Sequence, residues 1–389
     1  MIKTVSILGS TGSVGVTTLK ILDNSNNRLK IKLLYANKNL KEICYQIKKY
    51  KPEFFVINDL KVFKKVNKMK FKNKIKILNN LTKAKFKKKI DISISAIPGF
   101  AGLEPTLSII KFSKKLLIAN KESVICGWNL LKKKASQHGS KIIPIDSEHF
   151  SIMKLLENHS VKEIKKIYLT ASGGPFLNSS YSKLRSIKPK DALKHPKWKM
   201  GRKISIDSAT LMNKIFELIE AQKLFNIPKD KLDILIHPES LVHAIIVLKN
   251  GLTKFIYHET SMTIPLANAI FEKNLNIENF YKDKNLHYKK NIIKNLTFQK
   301  VNVKNFEAIR LIKRLNEYPS TPIIVNAANE ILVDQFLQKN IPFLSISKII
   351  LSILNDKKYK KYAIKTPKNI KDIQKVNDWT KEATLKKIK

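Results

Sequence analysis

Thr4-Val-Ser-Ile-Leu8-Gly9-Ser-Thr-Gly12-Ser-Val-Gly15 decides the reading of the first part of the chain. An apolar, strand-like run enters a turn with three glycines, and Val16–Asp23 continues as an amphipathic, helix-like segment. Glycines at such a turn let the backbone approach a pyrophosphate, whose charge meets free N–H groups at the helix start. The spacing is G-x-x-G-x-x-G rather than the usual G-x-G-x-x-G, and a glycine-rich strand-to-helix turn without a ligand has the same composition. Working outward, strand-like runs recur at Ile31–Tyr35, Phe54–Ile57, Ile75–Leu78, Ile90–Ile94, Leu116–Ala119 and Lys141–Ile145. Helix-like stretches such as Leu40–Tyr50 lie between some of them. Such alternation predicts a mostly parallel sheet covered by helices on both faces. The second strand ends in Tyr35-Ala-Asn-Lys-Asn39 and carries no carboxylate to bond a ribose 2′-hydroxyl. Lys38 would instead neutralise a 2′-phosphate, which favours NADP over NAD; the other reading is one more lysine among many.

The length of 389 residues suggests two or three domains. A hydrophobic content of 43% is enough for a sizeable core, and Gly 11, Pro 14 and Cys 2 exclude collagen-like and disulfide-scaffold classes. No apolar run approaches the roughly 20 residues of a membrane span. Met1-Ile-Lys-Thr-Val runs straight into a strand-like segment without a signal-peptide pattern, and two well-separated thiols fit a reducing compartment, so a cytoplasmic location is expected. The net charge is +45, which ordinarily suggests a polyanionic partner. Yet only five of the 75 basic residues are arginine, the residue that bidentate phosphate and guanine recognition favours. Lysine, asparagine and isoleucine are all abundant and share A/T-rich codons. Mutational bias accounts for the basic surface, and selected polyanion binding is the competing account.

Residues 151–275 read as α+β. Strand-like runs occur at Ile167–Thr170, Lys203–Ile206, Leu232–Ile236, His243–Leu248 and Lys254–Tyr257, with a long helix near Ser208–Leu224. Phe176–Met200 is polar, contains Pro189 and Pro196, and is long for an ordinary connection; it is a candidate mobile loop. A Lys/Asn-rich connector follows, and helical spacing returns at Phe306–Leu315, Pro322–Gln338 and Ile346–Leu354. The expected organisation is a dinucleotide-binding domain over 1–149, a catalytic domain over 150–275 with a lid of about 173–201, a connector over 276–304 and a helical domain over 305–389.

Four further signals carry chemistry. Asp146-Ser-Glu148 follows a strand; if the chain stays extended, the two carboxylates point the same way and suit Mg²⁺ or Mn²⁺. An acidic strand-to-helix turn with Asp or Ser as N-cap is the alternative. In the helix expected from Ser208, Leu211, Ile215, Leu218 and Ile219 form a core stripe. Asn213, Lys214 and Glu217 lie away from it. Ser208, Asn213 and Lys214 are candidates for a phosphate site at the helix start and Glu217 for a third metal carboxylate, against the reading of a solvated polar face. Lys121 follows another strand end and is a candidate for holding a substrate oxygen, or is a surface lysine. Ser172-Gly-Gly-Pro175 offers a hydroxyl and open backbone, and His195 and Trp198 could close over a substrate or serve packing alone.

The ordered series of motifs resembles the 1-deoxy-D-xylulose 5-phosphate (DXP) reductoisomerase family nearly end to end. The stretches are Gly9-Ser-Thr-Gly-Ser-Val-Gly15, Ala119-Asn-Lys-Glu-Ser123, Ile145-Asp-Ser-Glu-His149, Ser172-Gly-Gly-Pro175 and His195-Pro-Lys-Trp-Lys-Met-Gly201. Lys203-Ile-Ser-Ile-Asp-Ser-Ala-Thr-Leu-Met-Asn-Lys214, His237-Pro-Glu-Ser-Leu-Val-His243 and Asn326-Ala-Ala-Asn-Glu330 complete it. The resemblance implies an α/β N-terminal dinucleotide-binding (Rossmann-like) domain, an α+β central catalytic domain and an all-α C-terminal domain, in a homodimer. It implies NADPH- and metal-dependent isomerisation and reduction of DXP to 2-C-methyl-D-erythritol 4-phosphate in isoprenoid precursor synthesis. The metal would be Mn²⁺, Mg²⁺ or Co²⁺. Thr11, Gly12, Ser13 and Val14 would touch NADPH, with Asn37, Lys38 and Asn39 near its 2′-phosphate and Asn120, Glu122 and Gly201 lining its site. Asp146, Glu148 and Glu217 would bind the metal. Ser172, Ser208, Asn213 and Lys214 would hold the substrate phosphate. Lys121, Ser147 and His195 would contact the substrate's carbon backbone and its oxygens, as Glu148 and Glu217 would through the metal, and Trp198 would sit on the lid. Two positions depart from the family pattern: Ile215 replaces a helix glycine, and Asn37 replaces a glycine beside the 2′-phosphate site. The expected partner is a small phosphorylated sugar, with no specific nucleic acid and no membrane. The runner-up is another NADP-dependent oxidoreductase with a phosphorylated substrate; a basic nucleic-acid-binding protein is the non-enzyme reading.

Overall fold

The computed structural model describes residues 2–25, 28–69, 71, 75–198, 200–272, 275–280 and 295–388. Lys199 of the expected lid and 281–294 of the expected connector lie outside the described residues. The chain divides into two units. One comprises Met1–Ser123, Asn129–Asp146 and Ser261–Ile293; the other comprises Val124–Trp128, Ser147–Thr260 and Lys294–Lys389.

Strands and helices alternate from the start. They are β1 (Lys3–Leu8), α1 (Ser13–Asp23), β2 (Leu29–Ala36), α2 (Leu40–Tyr50), β3 (Phe54–Ile57), α3 (Leu60–Asn67) and β4 (Lys76–Leu78). Then come β5 (Ile90–Ser95), α4 (Leu103–Ile110), β6 (Ser113–Ile118), α5 (Lys121–Gln137) and β7 (Lys141–Pro144). The seven strands form one parallel sheet in the order β4-β3-β2-β1-β5-β6-β7. Its central strands are buried in near-continuous runs, as a sheet covered on both faces requires. Hydroxyls inside the sheet satisfy one another: Ser6 Oγ donates to Ser93 Oγ at 2.7 Å and Ser113 Oγ to the same atom at 2.6 Å. Chain order reverses between β1 and β5, which opens a ligand crevice at their C-terminal ends. Gly9 stands there at φ +88°, and a Cβ on it would come within 2.6 Å of the Ala96 carbonyl oxygen. Only glycine fits.

The second unit contains α6 (Ser147–Leu155), β8 (Ile164–Ala171), α7 (Tyr181–Leu184), α8 (Pro189–Ala192), α9 (Arg202–Ala209), α10 (Met212–Phe225), β9 (Leu232–Ile236), β10 (Val242–Leu248) and β11 (Thr253–Tyr257). After α11 (Thr263–Phe271), which belongs to the first unit, come β12 (Gln299–Lys300), α12 (Thr321–Leu337), α13 (Ser345–Ile353), α14 (Tyr359–Ala363) and α15 (Ile370–Ile388). The sheet order is β11-β10-β8-β9-β12, with only β8 and β9 parallel. Leu211 and Leu218 pack with Ile167, Leu169, Ile234 and Ile246 in the core of this unit. The C-terminal helices group with the mixed sheet rather than standing as a unit of their own.

Several expectations need correction. Lys203–Ile206 is not a strand; it lies in α9. Lys-Ile-Ser-Ile alternates over four residues, a window too short to separate period 2 from period 3.6, and Ile206 and Ala209 bury with helical spacing. The single helix expected near Ser208–Leu224 is two helices, broken at Leu211, whose φ of +66° is left-handed. The polar stretch 176–200 is not structureless: Ser180 caps α7 and Pro189 opens α8. Phe306–Leu315 is a 3-10 rather than an α-helical segment, over Glu307–Arg314.

Ile215, the larger residue at a glycine position of the family pattern, is fully buried in α10. It fills core volume, so Ile215→Ala should destabilise the fold by about 3 kcal/mol in a urea titration. A change below about 1 kcal/mol would show that the site collapses around the deletion.

Candidate active site

In the first unit, the glycine loop is tied to β2: the N–H groups of Gly9 and Ser10 both donate to Tyr35 O at 2.9 Å. Gln46 Nε2 donates to Ser10 O at 3.0 Å and holds the loop from α2. Gln46 was not singled out in the sequence; a polar residue among Ile43 and Ile47 on an otherwise buried helix face was the available signal. Gly12 and Ser13 are exposed at the crest, while Thr11 and Val14 are partly buried beside them. Ser10 Oγ is buried without a hydrogen-bond partner, a donor set inside a phosphate-type loop. These features fit a dinucleotide pyrophosphate at the start of α1. Asn37, Lys38 and Asn39 are exposed directly after β2. Asn39 caps α2 by accepting from Glu42 N at 3.2 Å. Asn37 is not left-handed, so its replacement of glycine needs no conformational tolerance.

Asn120 and Glu122 are fold-bearing residues at the start of α5. Asn120 Oδ1 accepts from Ser123 N at 2.8 Å, and its Nδ2 donates to Glu122 Oε2 at 2.8 Å and to Gly99 O at 3.1 Å. Lys121 pairs with Asp146 at the end of the β7 connection.

In the second unit, Glu148 lies in the first turn of α6, so the extended geometry expected for Asp146–Glu148 is replaced by a strand-to-helix turn. Ser147 is buried and its Oγ donates to Glu148 Oε2 at 2.6 Å. Lys214 Nζ donates to Glu148 Oε1 and, at 2.5 Å, to Glu217 Oε2. Asn213 Nδ2 donates to Glu217 Oε1 at 2.5 Å. The reading of a solvated polar face fails here: Lys214 is 6% exposed and Glu217 is 0% exposed. Burial pulls the Lys214 ammonium toward neutrality, but the two carboxylates outweigh it and its pKa is raised. Two carboxylates that converge on one cation have the hard-oxygen chemistry of a divalent-metal site.

Ser208 sits in the last turn of α9, not at the start of a helix as expected from the sequence. It packs against the Ser172 turn, where a Cβ on Gly174 would lie 3.2 Å from Ser208 O. Ser172 Oγ and His195 Nε2 are 3.1 Å apart. His195 Nδ1 accepts from Trp198 N at 2.9 Å and from Lys197 N at 3.2 Å, which leaves the proton on Nε2 to donate to Ser172. The imidazole is therefore neutral and ties the 195–198 backbone to the Ser172 turn. Gly201 is exposed as the N-cap of α9. Trp198 meets His243 edge to face at 6.0 Å.

Burial, and then the Lys214 charge, lower the His195 pKa from 6.5 to about 4. The sign follows: the unfolded chain takes up this proton near 6.5 and the folded chain only near 4. Wild-type stability should therefore fall, relative to His195→Asn, as pH drops through that window. Urea midpoints of the two proteins from pH 7 to 4 check this; a constant difference would contradict it.

His149 was also not singled out for a role. Its Nε2 donates to Glu217 O at 2.9 Å and its Nδ1 lies 3.3 Å from Glu220 Oε2, so it braces the helix turn that carries Glu217. No sequence spacing signals this, since the partners are 68 positions apart.

The family model described as 1-deoxy-D-xylulose 5-phosphate reductoisomerase matches residues 5–127. Two models of the family's C-terminal domains match 142–225 and 259–383. The DXP reductoisomerase of Pelagibacter ubique is 44% identical over 97% of both chains. The chain belongs to the DXP reductoisomerase family. The family enzyme of Clostridium novyi is 37% identical over 95% of both chains. Among solved structures, a DXP reductoisomerase in complex with NADPH, fosmidomycin and magnesium superposes with a TM-score of 0.88 at 29% identity, covering 100% of this chain and 98% of that one. The Zymomonas mobilis family enzyme in complex with NADPH gives 0.87 at 30% identity, covering 100% of both chains. The described residues thus have the reductoisomerase fold. No helix among the described residues is long and apolar enough to cross a membrane.

Proposed function

We infer that this chain is an NADP-dependent oxidoreductase that converts DXP to 2-C-methyl-D-erythritol 4-phosphate, with NADPH and a divalent cation. The observation that carries this reading is the Glu148–Lys214–Glu217 cluster, built on buried Lys214 and Glu217, in a chain whose family membership spans its length. Bound solved relatives hold NADPH and magnesium.

Thr11, Gly12, Ser13 and Val14 would receive the cofactor's phosphates, with Asn37, Lys38 and Asn39 toward its 2′-phosphate and Asn120, Glu122 and Gly201 along its path. Asp146, Glu148 and Glu217 are the proposed metal carboxylates; supporting this, Asp146 is two positions from Glu148 along the chain and Glu148 and Glu217 aim at one cation. When bound, the metal supplies Lewis acidity and NADPH supplies the hydride. Ser172, Ser208, Asn213 and Lys214 would bind the phosphate. That anchor, remote from the reacting carbons, supplies binding energy for orientation. Lys121, Ser147 and His195 would hold the substrate's oxygens. His195, kept neutral, orients the Ser172 hydroxyl, and Trp198 would help the lid exclude water. Residues 1–149 would bind cofactor, 150–275 carry the chemistry under the lid, and 305–389 support it across the 276–304 connector. The enzyme would act as a cytoplasmic homodimer on a small phosphorylated sugar.

The test is NADPH oxidation by the purified protein with DXP and Mg²⁺ or Mn²⁺, with product identification, then with chelator. Metal-dependent formation of 2-C-methyl-D-erythritol 4-phosphate is expected. Turnover that survives complete metal removal would point instead to another NADP-dependent oxidoreductase.

A further inference from the structure

The long helix α12 is mostly buried, and among its apolar core-facing residues it places Asn326 and Asn329 at 0% exposure. A buried amide is costly unless its polar atoms are bonded. Asn329 Nδ2 donates to Asp207 Oδ1 at 2.7 Å, across 122 positions of chain. Asp207 is buried, and its second oxygen accepts from Lys203 Nζ at 2.8 Å. The Lys203 ammonium in turn lies 5.2 Å from the Phe216 ring centroid on α10. Asp207 is thereby fixed from α12, from its own helix and, through Lys203, from α10.

What this bond holds is the corner that carries the candidate phosphate ligands. Asp207 immediately precedes Ser208. The chain then turns through left-handed Leu211, where Leu211 N donates to Ser208 O at 3.1 Å, and enters α10 with Asn213 and Lys214. α9 has eight residues and no side-chain cap at its N-terminus, too short a helix to hold its own position. A left-handed leucine is also a conformation that its surroundings must enforce.

We propose that Asn329 is a positioning residue for the DXP phosphate: through Asp207 it sets where α9 ends and so where Ser208 and Asn213 stand. This rests on the phosphate role of that corner proposed above.

The test is the steady-state KM for DXP at saturating NADPH and metal, with NADPH affinity measured separately by fluorescence titration. Asn329→Ala should raise the KM for DXP by about tenfold, change kcat by less than about threefold and leave NADPH affinity unchanged. The exchange of both residues, Asp207→Asn with Asn329→Asp, rebuilds the bond in reverse and should return KM to within about threefold of wild type. An unchanged KM in folded Asn329→Ala overturns the proposal, as does a raised KM that the exchange leaves raised. If Asn329→Ala does not fold, Asn329→Asp alone decides. It opposes two carboxylates, so its KM relative to wild type should fall as pH is lowered and one carboxylate takes up a proton; a flat ratio overturns the proposal. Ser208→Ala separates the two levels. An unchanged KM there sinks the phosphate assignment and the positioning role with it. A raised KM there with wild-type behaviour in Asn329→Ala sinks the positioning role alone.

Discussion

Glu217→Gln is expected to lower turnover at limiting Mg²⁺ by at least about a hundredfold while the chain stays folded. Glu217 is fully buried, and both its oxygens are engaged, one by Asn213 and one by Lys214. Glutamine keeps the volume and one acceptor but turns an NH₂ group toward a donor, a local loss of about 1–3 kcal/mol. Lys214 keeps Glu148, so its charge is not stranded and the larger cost of a lone buried ion does not arise. The effect on a metal is different in kind. One of three carboxylates would lose its charge, and the half-saturating metal concentration should rise. Thermal unfolding without metal and activity across a metal titration read the two effects separately. Normal turnover at limiting metal would remove Glu217 from the ligand set.

The second large effect is expected from Gly15→Ala. A Cβ there would overlap the Gly9 carbonyl oxygen and the Ser10 backbone, none of which is a flexible side chain. Either α1 moves away from the loop, or the loop yields and Gly9 N and Ser10 N are drawn off their shared acceptor, Tyr35 O; both spoil the cradle at the start of α1. NADPH affinity should fall by more than about a hundredfold, equivalent to about 2.7 kcal/mol. Gly12→Ala is the contrast, since its nearest heavy atom would be Gly9 O at 3.4 Å, an ordinary contact. It should leave the unfolding midpoint close to wild type. Direct fluorescence titration with NADPH measures the loss; near-normal affinity in Gly15→Ala would mean that this turn does not hold the pyrophosphate.

These residues also separate what was legible in the linear chain from what was not. The strand–glycine turn–helix unit was legible because its constraints are local. Alternating segments specify a parallel sheet, and the steric exclusion at Gly15 comes from Gly9 and Ser10 within the same turn. Leu40–Tyr50, Phe54–Ile57 and Leu232–Ile236 keep the bounds that their patterns suggest. The chemistry-bearing motifs were legible as residue types in order, which carried the family resemblance.

Environment was not legible. Nothing in Asn213-Lys-Ile-Phe-Glu217 distinguishes a polar face in water from one buried against Glu148, because burial depends on what other elements lay over α10. Four alternating residues at Lys203–Ile206 fit a strand as well as a helix until packing chose between them. His149 on Glu217 and Asn329 on Asp207 join residues 68 and 122 positions apart. By itself the sequence determined the nucleotide-type turn, the parallel sheet and the set of reactive residue types, since periodicity and the close approach of Gly15 to Gly9 and Ser10 act over a few neighbours. Only the tertiary structure decided which charges are buried, which protonation they keep and which distant amides hold them, since desolvation and long-range pairing exist only once the chain is packed.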